Sequence, residues 1–209
     1  MEIVCGATHR GFKSHLLRNA DAGNSKPSLG QRPALPEARA GEALGREHSL
    51  KMKRGPGQHA IDAAAMQAAI DEAKVAATLG EVPIGAVVIR EGEIIARTHN
   101  LRETTKNPLA HAEILAIGAA AEKLGAWRLS DCDIYCTLEP CPMCAGAIVA
   151  ARMRGLYFGA YDSKAGAVAS LYGMLSDPRL NHETSWTGGI RAQECGELLS
   201  GFFDSLRTE

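Results

Sequence analysis

The sequence predicts an α/β protein, a three-layer α/β/α sandwich with a central mixed sheet and helices on both faces. Three observations carry that prediction. The 209 residues are 45 % hydrophobic, enough for one sizeable core plus an appendage. Apolar runs of strand length alternate with longer segments of helical period. Gly, Pro and Asn fall between these segments as punctuation.

Residues 1–57 are rich in Gly, Pro and Arg and hold no apolar period longer than a turn or two. They read as a disordered N-terminal extension, with Met52 a candidate translation start. The folded domain is expected over residues 58–209. Its first helix is predicted with Asp62 as N-cap, running through Met66, Ile70, Ala73 and Ala77 to a stop at Gly80. Residues 83–89 read as a strand, Arg90-Glu91-Gly92-Glu93 as a tight turn, and residues 94–99 as the hairpin partner. A loop through Asn107-Pro108 leads to a second helix over residues 110–124, ended by Gly125, and then to a strand over residues 134–138. A third helix starts at Cys141. Its body, residues 145–151, is apolar on every side, the pattern of a helix buried against a sheet. Residues 156–158 add a strand, and Cys195, Leu198, Leu199, Phe202, Phe203 and Leu206 are predicted as the inner stripe of a final helix.

The formal net charge of −1 is unevenly spread: residues 1–51 carry eight Lys/Arg against five Asp/Glu, leaving 15 against 19 from Met52 onward. An acidic domain argues against indiscriminate coating of nucleic acid, which needs a broad basic face. Local contact through Arg102, Lys106, Arg152, Arg154 and Lys164 stays open, as does plain solvation of these charges. No apolar run reaches membrane-spanning length and the N-terminus lacks the apolar core of a secretory signal, so a cytoplasmic protein with no membrane partner is expected. Six cysteines are too few for a disulfide scaffold. Cys5, Cys132, Cys136 and Cys195 read as small apolar residues.

Chemistry concentrates in two motifs, His111-Ala112-Glu113 and, after 26 intervening residues, Pro140-Cys141-Pro142-Met143-Cys144. Zinc takes thiolate and imidazole ligands in a tetrahedral array, and a catalytic site leaves the fourth position to water. Cys141 and Cys144, at i and i+3 of a helix start, share one face, and free N–H groups there favour thiolates. His111 begins its own helix and supplies a third ligand. Glu113, two residues on, is close enough to a zinc-activated water to move its protons without ligating the metal. Each part has a plainer reading: His-Ala-Glu alone means little, and C-x-x-C alone suits structural zinc or a redox pair. Structural zinc asks for a fourth ligand, and Cys132 and Cys136 lack the spacing for it. The combination favours one catalytic zinc per subunit.

The combined His-x-Glu…Pro-Cys-x-x-Cys pattern resembles that of the zinc nucleobase deaminases. The likeness is specific to the bacterial tRNA-specific adenosine deaminases of the cytidine/deoxycytidylate deaminase superfamily. It spans residues 62–203 and rests on Glu81-Val82-Pro83-Ile84-Gly85-Ala86-Val87, His99-Asn100, Ala110-His111-Ala112-Glu113-Ile114, Thr137-Leu138-Glu139-Pro140-Cys141-Pro142-Met143-Cys144-Ala145-Gly146-Ala147, Phe158-Gly159-Ala160-Tyr161-Asp162 and Leu180-Asn181-His182. The resemblance implies a cytidine-deaminase-like fold, zinc held by His111, Cys141 and Cys144, and proton transfer by Glu113. It implies base positioning by Asn100, with Val82, Ala112, Pro140 and Asp162 also lining the substrate site. It further implies a homodimer and a tRNA anticodon stem-loop as partner, with the wobble adenosine converted to inosine.

For Asn100 the competing reading is a loop-capping amide, and His99 and His182 read as packing or surface residues. The chain has Ala169-Ser170 where the family usually has Gly-Ser, and it stops at Leu206-Arg207-Thr208-Glu209 where a basic tail often follows. The rival functions are deamination of a free base or nucleoside such as guanine or cytosine, and a catalytically silent zinc-bearing subunit, against which Glu113 speaks.

Overall fold

A computed structural model of the chain describes residues 56–208; the sequence reading of residues 1–57 as a disordered extension lies outside them except at Pro56 and Gly57, which open a helix instead. The element order is α1 (Pro56–Thr78), β1 (Gly85–Arg90), β2 (Glu93–His99), α2 (Arg102–Thr105), α3 (Ala112–Leu124), β3 (Cys132–Leu138), α4 (Pro142–Ala150), β4 (Gly155–Ala160), a 3-10 turn (Met174–Ser176), β5 (Ser185–Thr187) and α5 (Ala192–Thr208). The strands form one five-stranded sheet in the order β2-β1-β3-β4-β5. β1 is antiparallel to both β2 and β3, whereas β3–β4 and β4–β5 are parallel. The sheet is therefore mixed, as the sequence predicts.

Both faces of the sheet are buried because side chains alternate along each strand. Ala86 and Val88 of β1, Ile134 and Cys136 of β3, and Leu156 and Phe158 of β4 point to α3 and α4, joining Ala116, Ala120, Ala145 and Ile148 in one core. Val87, Ile89, Tyr135 and Tyr157 point the other way, to Met66, Ala69 and Ile70 of α1 and Cys195 of α5. The alanines let helix backbones come close. At Gly85 an added Cβ would stand 2.0 Å from the Ala69 carbonyl oxygen and 2.6 Å from the Ala73 nitrogen, so α1 rests directly on β1 and glycine is required there.

The β1–β2 turn forms on Glu91 (φ 53°) and Gly92 (φ 85°), the paired positive φ of a type I′ hairpin. The partner strand carries a register shift opposite Val88 and Ile89.

Two details depart from the sequence reading. Asp62 is not an N-cap: α1 begins at Pro56, a residue pre-shaped for a first helical turn. Asp62 instead lies buried within the helix and accepts a hydrogen bond from the Tyr135 hydroxyl at 2.6 Å. The predicted inner stripe of α5 also fails at its far end. Cys195 is buried and Leu198 packs partly buried against the same core, but Phe203 and Leu206 are exposed. Strand β5 has only three residues, each half-buried, too short to leave a period in the sequence. Cys132, Cys136 and Cys195 are buried and unbridged, as expected. No helix among the described residues is long and apolar enough to cross a membrane.

Candidate metal and catalytic centre

The candidate ligands sit at two helix N-termini. His111 occupies the N-cap of α3 (φ −74°, ψ 147°) and Cys141 that of α4 (φ −71°, ψ 172°), with Pro142 opening the helix and Cys144 in its first turn. Neither side chain makes an N-capping hydrogen bond; Cys141 Sγ instead meets Cys144 Sγ and His111 Nδ1. The sulfurs of Cys141 and Cys144 are 3.7 Å apart, and His111 Nδ1 lies 3.8 and 3.6 Å from them. Ligands of a tetrahedral zinc, at ~2.3 Å for sulfur and ~2.0 Å for nitrogen, would be separated by ~3.8 Å (S to S) and ~3.5 Å (S to N). The trio fits such an ion without rearrangement, and its two thiols and one imidazole are the donor types that zinc selects.

The electrostatics agree. The hydrogen bond with Cys144, aided by His111, pushes the Cys141 thiol down to about 4, so a thiolate forms readily. The same contact, together with burial, drives Cys144 up. A metal held by both sulfurs would need both as thiolates, so its binding would be coupled to loss of the Cys144 proton.

Glu113 lies in the first turn of α3 and is 4 % exposed. Burial raises its carboxyl above the ordinary value. Its Oε2 is the one buried side-chain oxygen or nitrogen among the described residues that lacks a hydrogen-bond partner. Folded proteins rarely tolerate an orphaned buried acceptor unless function uses it.

The other expected site residues are each held by local hydrogen bonds. Thr98 Oγ1 donates to the Ala112 carbonyl at 2.7 Å and the Leu101 N–H to the Ala110 carbonyl at 3.0 Å, which clamps Asn100 beside the start of α3. The Asn100 amide donates to Glu81 Oε2 at 3.1 Å. Val82 is half-buried in the turn before β1, its carbonyl accepting from the Ile84 N–H. Pro140 is buried and its carbonyl accepts from the Ala167 N–H at 2.9 Å. Asp162 caps a turn through Lys164 and Ala165. His99 pairs with Glu72 and His182 with the Met153 carbonyl, the packing roles expected of them. Arg154 is held by Asp133 and Arg152 by Asn181; Arg102, Lys106 and Lys164 are exposed.

Comparison with known proteins settles the family. The MafB19-like deaminase family matches residues 61–207. The tRNA-specific adenosine deaminase of Bacillus subtilis is 52 % identical over 142 residues, covering 68 % of this chain and 88 % of the relative. That of Aquifex aeolicus is 46 % identical, covering 68 % and 93 %. The chain belongs to the tRNA-specific adenosine deaminase family. A solved structure from work on A-to-I editing by tRNA:A34 deaminases superposes with a TM-score of 0.63 at 45 % identity, over 65 % of this chain and 99 % of that one. A guanine deaminase from Nitrosomonas europaea aligns at 22 % identity and a TM-score of 0.56, over 73 % and 95 %, a likeness of fold alone.

Within this deaminase, two carboxylates matter that sequence reasoning passed over. Glu81 and Glu139 are both essentially fully buried. Glu81 accepts from the Glu103 N–H at 3.1 Å, from the Thr104 N–H and from Asn100. Glu139 accepts from the N–H groups of Asp162, Val168, Ala169 and Ser170 and from the Ser170 hydroxyl. Burial alone would raise both; the converging donors outweigh it and hold both below the ordinary range. The available signal was their position, an acid just ahead of a proline in an otherwise apolar stretch, as in Glu81-Val82-Pro83 and Leu138-Glu139-Pro140.

Proposed function

We propose that this chain hydrolytically deaminates adenosine to inosine at the wobble position of a tRNA anticodon. The observation that carries the reading is the orphaned Glu113 oxygen beside the His111–Cys141–Cys144 trio, in a chain whose 42–52 % identical relatives are tRNA-specific adenosine deaminases. His111, Cys141 and Cys144 hold one zinc ion per subunit. A zinc ion in such a site supplies Lewis acidity, making a water molecule nucleophilic near neutral pH. Glu113, raised by burial, takes up a proton and returns it to a ring nitrogen of the base, and then serves the departing ammonia. Asn100 orients the base. Val82, Ala112, Pro140 and Asp162 line its pocket, which receives an unstacked nucleotide from a single-stranded loop.

The enzyme works in the cytoplasm as a homodimer, the assembly that the family resemblance implies. Mass spectrometry for inosine in an anticodon stem-loop incubated with the protein tests the activity; stoichiometric conversion at the wobble position is expected. No inosine there, with ammonia released from guanine or cytosine instead, would transfer the reading to a free-base deaminase. Light scattering on the purified chain tests the dimer.

A further inference from the structure

Glu139 stands two residues before Cys141 and is 1 % exposed. Its carboxylate receives the N–H groups of Asp162 (3.0 Å), Val168 (3.1 Å), Ala169 (2.7 Å) and Ser170 (2.9 Å), and the Ser170 hydroxyl. All five donors are neutral and all lie in one loop. The main chain repeats the tie: the Glu139 N–H donates to the Ala160 carbonyl at 2.8 Å and the Ala167 N–H to the Pro140 carbonyl at 2.9 Å. The loop has shaped itself to the carboxylate. A Cβ at Gly166 would stand 2.4 Å from Glu139 Cδ and 2.6 Å from the Asp162 carbonyl oxygen, so only glycine lets the backbone close over the acid. The outward side of the same region exposes Tyr161, Lys164 and Tyr172, groups suited to stacking on bases and to meeting phosphate.

We propose that Glu139 is a positioning residue whose buried carboxylate staples the 162–170 loop to the metal-bearing turn, so that the order of this loop sets substrate affinity rather than the rate of the chemical step. The proposal rests on the reading of Asp162 as part of the substrate wall. Four amides converging on one acceptor have no second acceptor to fall back on, and an unmet buried N–H is expensive. When the acceptor is weakened, the loop spends less time in the arrangement that receives substrate. The apparent dissociation constant then rises by the reciprocal of that competent fraction. His111, Glu113, Cys141 and Cys144 stay in place, and turnover of the bound substrate with them.

The test uses the full chain with its zinc and compares wild type with Glu139→Gln, which keeps the shape but turns an amide NH2 toward N–H donors. Hydrogen exchange of the 162–170 amides, zinc content and steady-state deamination of a stem-loop are measured. Exchange should quicken at residues 168–170 with zinc retained, KM should rise about tenfold or more, and kcat should stay within about threefold. Gly166→Ala, which presses a methyl on the carboxylate from the loop side, should give the same split and decides the matter if Glu139→Gln does not fold. Unchanged exchange overturns the proposal, as does quicker exchange with an unchanged KM. So does lost zinc with a collapse of kcat, which would make Glu139 a support of the metal turn. Should wild type make no inosine, the proposed function falls, while exchange still decides whether the staple exists.

Discussion

At the residue scale the site separates groups that hold the metal from the group that moves protons. Glu113 Oε2 is buried and unpartnered, and it plays no part in the trio whose ligand atoms lie within 4.8 Å of one another. Glu113→Ala should therefore keep zinc and fold while losing activity, by ~10²–10⁴-fold for a general acid–base role or more where the group acts twice per turnover. Metal analysis beside stem-loop kinetics checks this, and near-normal turnover or a zinc-free variant would refute the assignment. Cys141→Ala should do the opposite, shedding zinc and lowering the melting temperature, because the trio joins the first turns of α3 and α4. Chelation of the wild type should reproduce that loss.

At the element scale the sequence was most legible where periodicity and punctuation coincide. The β1–β2 hairpin, α3 with its Gly125 stop and the helix opening at the C-x-x-C all lie within a few residues of their expected bounds. What stayed hidden is non-local. Asp62 has the residue type and spacing of a cap among its chain neighbours, whereas Tyr135, its hydrogen-bond donor, lies 73 residues away. Glu81 and Glu139 carry no individual role in the sequence reading, because their donors sit in loops whose closure no local period announces.

Glu81 makes this measurable. Its burial is outweighed by the Thr104 and Glu103 N–H groups and by the Arg102 charge, so its folded-state carboxyl lies below the ordinary 4.5. A depressed carboxylate contributes stability that is fully present above its unfolded value and is lost as pH falls through the folded one. Melting curves in one metal state should show the wild type losing stability below about pH 4.5 more steeply than Glu81→Gln, since α2 and Asn100 are released together. Parallel curves for the two would remove the carboxylate's role. Packing between elements is testable as well. Gly85→Ala pushes a methyl into the backbone of α1, where Ala69 O and Ala73 N cannot rotate away. It should cost ~1–3 kcal/mol or more by overpacking, read from chemical denaturation.

At the scale of the whole molecule, the family match begins at residue 61 and α1 at Pro56, so the elements that build the site fall in the part of the chain after Met52. That part carries 15 Lys/Arg against 19 Asp/Glu, whereas residues 1–51 carry eight against five. An acidic domain that captures one unstacked base should neutralise few phosphates, and the logarithm of its affinity should fall only gently with that of the salt concentration. The basic N-terminal segment could steepen the dependence beyond what the folded domain's own exposed Arg and Lys residues give. A chain starting at Met52 should match the full chain in kcat/KM on the same stem-loop at the same salt, with the same shallow slope and the same zinc content. A defect confined to KM that shrinks as salt rises would instead assign the first 51 residues a role in holding tRNA. A fall in kcat or in zinc would show that they support the folded domain itself, and that its boundary lies upstream of Met52.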